Sequence, residues 1–243
     1  MNGVLYWLTQ SAHEVPDSDE WLSEEERSVL ARMRFPKRRH DWRLGRWTAK
    51  LAICAYRSGK TTPLATFEIR AAADGAPEVF LQGGAAGDVS ISISHSNDRS
   101  LCAVGPWNLA VGCDLERIEP RDDTLARDYF TPEEISFSRE APYAQRALIV
   151  NLIWSAKETA LKILREGLRR DTRSIQIHPD FGGREDAWNA WTGLCLVTSR
   201  PFYGWWRTWE GYIYTLASDQ LTLAPKQLRV RGQNSHDRGP IIV

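Results

Sequence analysis

The order of helical and strand patterns along the chain constrains its fold more than any other feature. A capping box at Ser23 and Glu26 opens one helical pattern, and a second runs from Pro36 to about residue 57. Residues 89–94 then alternate valine or isoleucine with serine, which is the period-two pattern of a half-buried strand. A chain with this order needs helices packed on a sheet, because the apolar face of each strand must be covered.

A similar order returns after the turn residues 105–108. Residues 109–116 are predicted to be a strand, Thr131 and Pro132 start a helix, and a longer helix is predicted over residues 144–166. Further strands are predicted at residues 174–178, 195–198 and 212–217, with Trp205, Trp206 and Trp209 on a turn-rich connection. We therefore predict an α+β chain with two lobes, residues 1–106 and 107–228, and a flexible tail at residues 229–243.

Composition excludes several classes of protein. Of 243 residues, 42% are hydrophobic and 26% charged, so a packed core is feasible, and 31 basic residues balance 31 acidic ones, unlike a general nucleic-acid coat. The longest apolar run, residues 147–154, is too short to span a bilayer, and no secretory signal is evident at the amino terminus. The four cysteines form no CxxC pair, which favours free thiols in a reducing compartment, so we expect a cytoplasmic protein. We also expect a monomer.

The second helix carries a basic stripe. Arg39, Arg43, Arg46 and Lys50 fall within about 60° of one another around the helix axis. One interpretation is a solvated face neutralised by acids from residues 14–26. The other is a binding site for a polyanion, since arginine makes bidentate contacts with phosphate.

Two carboxylates share a face of the strand at residues 109–116. Asp114 and Glu116 are two residues apart, so their Cα atoms lie about 6.5 Å apart on the same side. Such a pair fits Mg²⁺, which accepts one or two carboxylates together with phosphate oxygens. A lone D-x-E sequence also occurs on solvent-exposed strands that bind no ligand.

The helix at residues 144–166 carries charges beside its apolar stripe. Lys157 lies within that stripe, and Glu158 and Lys162 form an i, i+4 pair at its flank. Lys157 could extend its amine to solvent, and the pair could be a routine surface pair. The same charges also suit a site between lobes, and His95, which follows Ser94 at a strand end, could reach an anion there.

Four stretches in order resemble the surfactin-type 4′-phosphopantetheinyl transferases. They are RRHDWRLGR at residues 38–46, SISHS at 92–96, VGCDLE at 111–116 and WSAKETALK at 154–162. The resemblance implies transfer of 4′-phosphopantetheine from coenzyme A to a serine of an apo acyl or peptidyl carrier protein, with release of adenosine 3′,5′-bisphosphate. It also implies a pseudo-dimer of two similar α+β lobes in one chain, with the active site in the cleft between them. The pathways served by such enzymes are polyketide, nonribosomal peptide and fatty acid biosynthesis.

The resemblance assigns roles to particular residues. Metal ligands for Mg²⁺, or alternatively Mn²⁺, would be Asp114, Glu116 and Glu158. The catalytic residues would be Glu158, Lys162 and His95, with Glu158 or a metal-bound water as the base. Coenzyme A would contact Arg38, Arg39, Arg46, Ser94, His95, Lys157 and Lys162. Partners are therefore coenzyme A and a carrier protein, with neither a nucleic acid nor a membrane.

The chain departs from the family at one loop, and two other functions stay open. A lysine often found between glycine and proline is Ala76 here, and Arg70 lies nearby as a substitute charge. A different Mg²⁺-dependent phosphoryl or nucleotidyl transferase would need only Asp114 and Glu116. A nucleic-acid-binding module would use residues 27–50 with their tryptophans, and its affinity would fall steeply with salt.

Overall fold

The computed structural model describes residues 3–57, 62–81, 84–183 and 187–230. Its strands are β1 (Gly3–Ser11), β2 (Phe67–Ala71), β3 (Pro77–Leu81), β4 (Gly84–Ala85), β5 (Val89–Ser96), β6 (Arg99–Pro106), β7 (Val111–Arg117), β8 (Ile175–Pro179), β9 (Asn189–Cys195), β10 (Pro201–Trp209), β11 (Tyr212–Ser218) and β12 (Thr222–Gln227). Its α-helices are α1 (Glu24–Ala31), α2 (Pro36–Tyr56), α3 (Asp123–Tyr129), α4 (Pro132–Glu140) and α5 (Tyr143–Leu164). The predicted α+β class is confirmed.

The N-terminal sheet has the strand order β12-β1-β6-β5 and is covered by α2. β5 is confirmed as a strand, and Ile91 is buried in one cluster with Ala49 and Ile53 of α2. Its serine face is not solvated as a half-buried strand would require, because Ser92 and Ser94 are buried and bond to residues of β7. β1 was not predicted, although Leu5 and Trp7 alternate on one buried face of it. The small hairpin β2–β3 was also missed, because each of its strands has only five residues.

The C-terminal sheet has the order β7-β11-β10-β9-β8 and is covered by α5. The turn predicted around Trp205, Trp206 and Trp209 is wrong, since these residues belong to β10, which pairs antiparallel with both β9 and β11. These closely spaced tryptophans do not show the period-two alternation of a half-buried strand. A central strand such as β10 can instead carry bulky rings on both faces. The strand predicted at residues 195–198 is also wrong beyond Cys195, where β9 ends.

The two sheets meet through a shared apolar cluster. Leu5 and Trp7 of β1 pack with Cys113 and Leu115 of β7 and with Tyr214 of β11. These side chains are at most 1% exposed, so the two sheets share one continuous core along this contact.

The chain also crosses back between the sheets. β12 runs parallel to β1, and the amide of Leu228 donates a hydrogen bond to the carbonyl of Trp7. The predicted lobe at residues 107–228 therefore returns its last strand to the N-terminal sheet. Of the predicted tail, residues 231–243 lie outside the described residues. Within the described chain, no helix is long and apolar enough to cross a membrane.

Each of the two long helices buries one lysine in an ion pair. Lys50 of α2 pairs with Glu26 of α1, and Lys157 of α5 pairs with Glu134 of α4 at 2.8 Å. Both lysines are fully buried, and burial lowers the pKa of each amine, opposed by the glutamate beside it. Breaking such a pair by removing one partner leaves a buried charge, so these pairs hold the long helices to the shorter ones.

Candidate active site

A close approach of α5 to β7 builds the site. A Cβ atom at Gly112 would lie 2.2 Å from the backbone oxygen of Thr159, so only glycine permits this approach. The approach brings Lys162 within hydrogen-bond distance of Asp114, with its Nζ 2.9 Å from Oδ1 and 2.8 Å from the carbonyl oxygen of Cys113. Lys162 was expected to contact phosphate oxygens and Asp114 to hold a metal ion, so their direct contact was not predicted from the sequence.

Asp114 is the centre of this arrangement. It is 4% exposed, and its Oδ1 also accepts a hydrogen bond of 2.7 Å from the Ser94 hydroxyl. Its Oδ2 is buried without a hydrogen-bond partner among the described residues. A buried carboxylate oxygen with no partner is an available ligand position, since leaving it unsatisfied is unfavourable.

Glu116 lies two residues further along β7 and is held by two donors. Arg121 Nη2 donates to its Oε2 at 2.7 Å, and Trp154 Nε1 donates to its Oε1 at 3.1 Å. Arg121 is fixed in turn by Asn151, whose Oδ1 accepts from its Nε at 2.7 Å. Burial first, and then the charge of Asp114, raise the pKa of Glu116 to about 7.

Glu158 shares this electrostatic environment. Burial and the charge of Asp114 raise the pKa of Glu158, whereas Lys162 opposes that rise. Burial acts to lower the pKa of Lys162, but the charge of Asp114 raises it above its ordinary value, so the amine stays protonated. We call Asp114, Glu116 and Glu158 the acidic cluster.

The side chains of the acidic cluster are of the type that binds Mg²⁺, but they are not arranged as a metal site. Carboxylate oxygens are the ligands that Mg²⁺ prefers, and Asp114 Oδ2 is unsatisfied. Within the described residues, however, no three acidic, histidine or cysteine side chains converge closely enough to hold a metal ion. The residues fit the ion chemically, and the hydrogen bonds from Arg121 and Trp154 occupy the oxygens of Glu116.

Two cavities lie beside the site. No member of the acidic cluster lines either one, and the connection is made by Lys162, which contacts Asp114 and lines the second cavity. One of about 570 Å³ is lined by Arg38, Arg46 and His95, and burial lowers the pKa of that histidine. The other, of about 630 Å³, is lined by Lys162 and extends to the exposed Trp107. Gly75, Pro77 and Ile93 border both cavities, so the two adjoin each other.

Three residues assigned to coenzyme A are placed elsewhere. Lys157 is fully buried and donates to the carbonyl oxygens of Thr172 and Ile175, so the expected phosphate contact is corrected: its amine has no exposed surface. Lys157 belongs to the apolar stripe because the Glu134 ion pair satisfies its charge there.

Arg39 and Ser94 are the other two residues that were assigned to coenzyme A but lie outside the cavities. The guanidinium of Arg39 donates to the carbonyl oxygens of Leu30 and Met33, and the residue lines neither cavity. α2 begins at Pro36, so Arg38 and Arg39 project about 100° apart and only Arg38 faces the cavity. The Ser94 hydroxyl is used by Asp114 and lines neither cavity.

The basic stripe of α2 is neutralised from within the chain. Arg43 pairs with Asp19 at 2.9 Å, and Lys50 pairs with Glu26. Both acids come from residues 14–26, as one of the two interpretations predicted, but the face is not solvated throughout, because Lys50 and Glu26 are buried. A continuous basic surface for nucleic acid is therefore not formed by these residues.

Comparison with known proteins points to one family. The sequence model of the 4′-phosphopantetheinyl transferase superfamily matches residues 110–215. The chain is 28% identical over 196 residues to the 4′-phosphopantetheinyl transferase HetI of Nostoc sp., covering 78% of this chain and 79% of that protein. It is 30% identical over 95 residues to a 4′-phosphopantetheinyl transferase of Bacillus subtilis, covering 38% of this chain and 42% of that protein.

One solved structure is more distantly similar. It is a holo-(acyl-carrier-protein) synthase from Bacillus anthracis in complex with CoA, with 22% identity and a TM-score of 0.38 over 44% of this chain and 97% of that one. A score this low does not support a comparison of the two folds. The sequence matches, by contrast, include the strand and the helix that carry the acidic cluster. As its motifs predicted, the chain is an enzyme similar in sequence to the 4′-phosphopantetheinyl transferases, and its residues 110–215 match the model of their superfamily.

Proposed function

We propose that this enzyme transfers 4′-phosphopantetheine from coenzyme A to a serine hydroxyl of an apo acyl or peptidyl carrier protein. The reaction would depend on Mg²⁺ and release adenosine 3′,5′-bisphosphate. The observation that carries the proposal is the contact between the buried Asp114 and Lys162, which lines one of the two adjoining cavities. The sequence similarity to HetI, which is itself named as a 4′-phosphopantetheinyl transferase, supports it.

Attack on a phosphorus atom requires positioning and neutralisation of charge more than covalent chemistry. Arg38 and Arg46 would bind the phosphate on the ribose, with His95 and Lys162 on the remaining phosphate oxygens. Asp114, Glu116 and Glu158 would hold Mg²⁺, which when bound supplies charge neutralisation on the diphosphate.

The carrier serine must also lose its proton. We assign this step to Glu158 or to a water on the Mg²⁺ that it would hold, because a carboxylate or a metal-activated water can accept the proton of a hydroxyl. Ser94 and Lys162 hold Asp114 in one orientation, so they position the ligand set.

The lobes of the chain are proposed to be an internal pseudo-dimer. In each half a capping-box glutamate pairs with a buried lysine and also accepts a backbone hydrogen bond, from Ile69 to Glu26 and from Ile177 to Glu134. In both halves the bond spans 43 residues. We divide the lobes at residues 1–106 and 107–221, with β12 returning to the first.

The remaining assignments are also proposals. We assign the chain to the surfactin-type subclass, as a monomer serving polyketide, nonribosomal peptide or fatty acid biosynthesis. All four cysteines are free, and three are buried, which supports the cytoplasm as its compartment.

The test is to incubate the protein with coenzyme A, Mg²⁺ and several apo carrier proteins and to weigh the carriers by mass spectrometry. We expect a gain of one phosphopantetheine on a single serine, lost with Asp114→Ala and retained with Asp88→Ala, an exposed carboxylate in a turn. A carrier that gains a nucleotide instead would support another Mg²⁺-dependent transferase, and no gain on any carrier would reject the proposal.

A further inference from the structure

The tip of the β2–β3 hairpin, residues 72–76, is tied to the end of α5. Arg165 Nε donates to Asp74 Oδ2 at 2.6 Å, and its Nη2 donates to Glu78 Oε1 at 2.9 Å. Arg169 Nη2 donates to the backbone oxygen of Asp74 at 3.1 Å. These bonds join residues that lie about 90 positions apart in the sequence.

Both partners of this contact are set in defined local geometry. Arg165 caps α5 with a left-handed backbone, at φ 58°, which is uncommon for a residue other than glycine. Asp74 Oδ1 accepts from the amide of Ala76 at 3.0 Å, which fixes the carboxylate within the turn. The hydrogen bond from Arg165 lowers the pKa of Asp74, so the carboxylate stays charged at neutral pH.

The base of the hairpin is anchored in the core, whereas its tip is held by contacts at the surface. Phe67, Ile69 and Val79 are buried, and the amide of Ile69 is bound to Glu26. Beyond Arg70 the hairpin is largely exposed, and the ion pairs with Arg165 are 32–46% exposed at their side chains. The tip can therefore open by breaking surface contacts without disturbing the core.

The tip forms a wall of both cavities. Gly75 and Pro77 line the cavity that contains Arg38, Arg46 and His95, and they also line the one that contains Lys162. Arg165 lines the second cavity, but two carboxylates neutralise its guanidinium. A ligand that occupies both cavities would run past the tip.

We propose that Arg165, Asp74 and Glu78 form a latch that holds the hairpin tip closed over bound coenzyme A. Arg165 is then a positioning residue, which acts on the ligand through residues 72–76. The latch rests on the proposed function, because it names the ligand of that site. Since coupling between latch and ligand is reciprocal, an opened latch weakens binding and bound coenzyme A protects the latch.

The latch is tested first without a ligand, by hydrogen exchange of the tip amides in Arg165→Ala. We expect exchange at residues 72–76 to become about tenfold faster, with no change at Ile69, whose amide is anchored to Glu26. Arg173→Ala is the matched control, because Arg173 forms a somewhat more exposed surface pair with Asp171, two residues away. Unchanged exchange at the tip in Arg165→Ala would overturn the latch.

The second test measures binding of coenzyme A with Mg²⁺ by calorimetry and stopped flow. We expect Arg165→Ala to raise Kd about five- to tenfold, through faster dissociation, with kcat at saturating coenzyme A within about twofold. The conservative variant Arg165→Lys, which keeps a positive charge beside Asp74 and Glu78, should retain most of the affinity, which a loss of general stability would not explain.

An unchanged Kd in Arg165→Ala would overturn the proposed effect on the ligand. A wild-type protein that binds no coenzyme A would instead reject the proposed function, and the exchange result alone would then decide whether the latch exists.

Discussion

Glu116 keeps its proton to a higher pH than an exposed glutamate because it is buried beside Asp114. Its pKa is about 7 in the fold against 4.5 ordinarily. The unfolded chain therefore loses this proton first as the pH rises, and the folded state must ionise a disfavoured group. The free energy of unfolding of the metal-free protein should consequently fall between about pH 4.5 and pH 7.

Glu116→Gln removes this contribution. At about 1.4 kcal/mol per pH unit, the wild type should lose up to about 3 kcal/mol more than the variant over that range. Urea denaturation in a chelator at pH 5 and pH 7 measures the difference. Parallel pH dependence in the two proteins would contradict the raised pKa.

Lys157 is expected to matter for stability and not for ligand affinity. Lys157→Ala leaves Glu134 buried without its partner, so the free energy of unfolding should fall by about 3–5 kcal/mol. The double variant Lys157→Met with Glu134→Gln should recover part of that loss, because both charges are gone. Denaturation curves of the three proteins measure this. If Lys157→Ala were as stable as the wild type but bound coenzyme A more weakly, the result would support the phosphate contact expected from the sequence.

At the scale of elements, the site depends on the spacing between α5 and β7. Asp114 and Glu116 are fixed on β7, whereas Glu158 and Lys162 are carried by α5, so the site exists only where the two elements touch. Helix periodicity predicts the shared face of Glu158 and Lys162, and strand periodicity predicts that of Asp114 and Glu116. The contact between these faces is a tertiary fact.

Gly112→Ala tests this spacing. The added methyl group would meet the backbone oxygen of Thr159, which cannot rotate away, so α5 must shift. We expect a loss of about 1–3 kcal/mol in the free energy of unfolding and a larger fractional loss of transfer activity than of coenzyme A affinity. Gly87→Ala, where nothing lies within 4 Å of the new Cβ, is the control. Equal activity of Gly112→Ala and the control would show that the spacing is not critical.

At the scale of the whole molecule, two sheets are joined by a shared core and by a strand that crosses back. β12 follows β11 of the C-terminal sheet along the chain, but it pairs with β1 of the N-terminal sheet. Leu228 and Val230 then pack on the core beneath α2. This crossing covers the edge of β1 that β6 leaves open.

Truncation measures what β12 contributes. A chain ending after residue 220 loses the ladder with β1 and the packing of Leu228, so we expect a fall of several kcal/mol in the free energy of unfolding and a tendency to associate through β1. A chain ending after residue 230 keeps both and serves as the control. Thermal denaturation and light scattering compare the two. Equal stability would mean that β12 is dispensable.

Local periodicity and short motifs were sufficient to predict the α+β class, the long helices, the resemblance to the transferase family and the faces on which the acidic residues lie. Which charges face the cavities depends instead on contacts between distant parts of the chain. Lys157 and Lys162 lie five residues apart on one helix, yet Lys157 meets Glu134 in the core and Lys162 meets Asp114 at the site. Arg38 and Arg39 are divided in the same way. A sequence pattern does not show which residue a charged side chain will contact. That partner comes from a distant part of the chain, and it determines whether the charge is structural or free to bind a ligand.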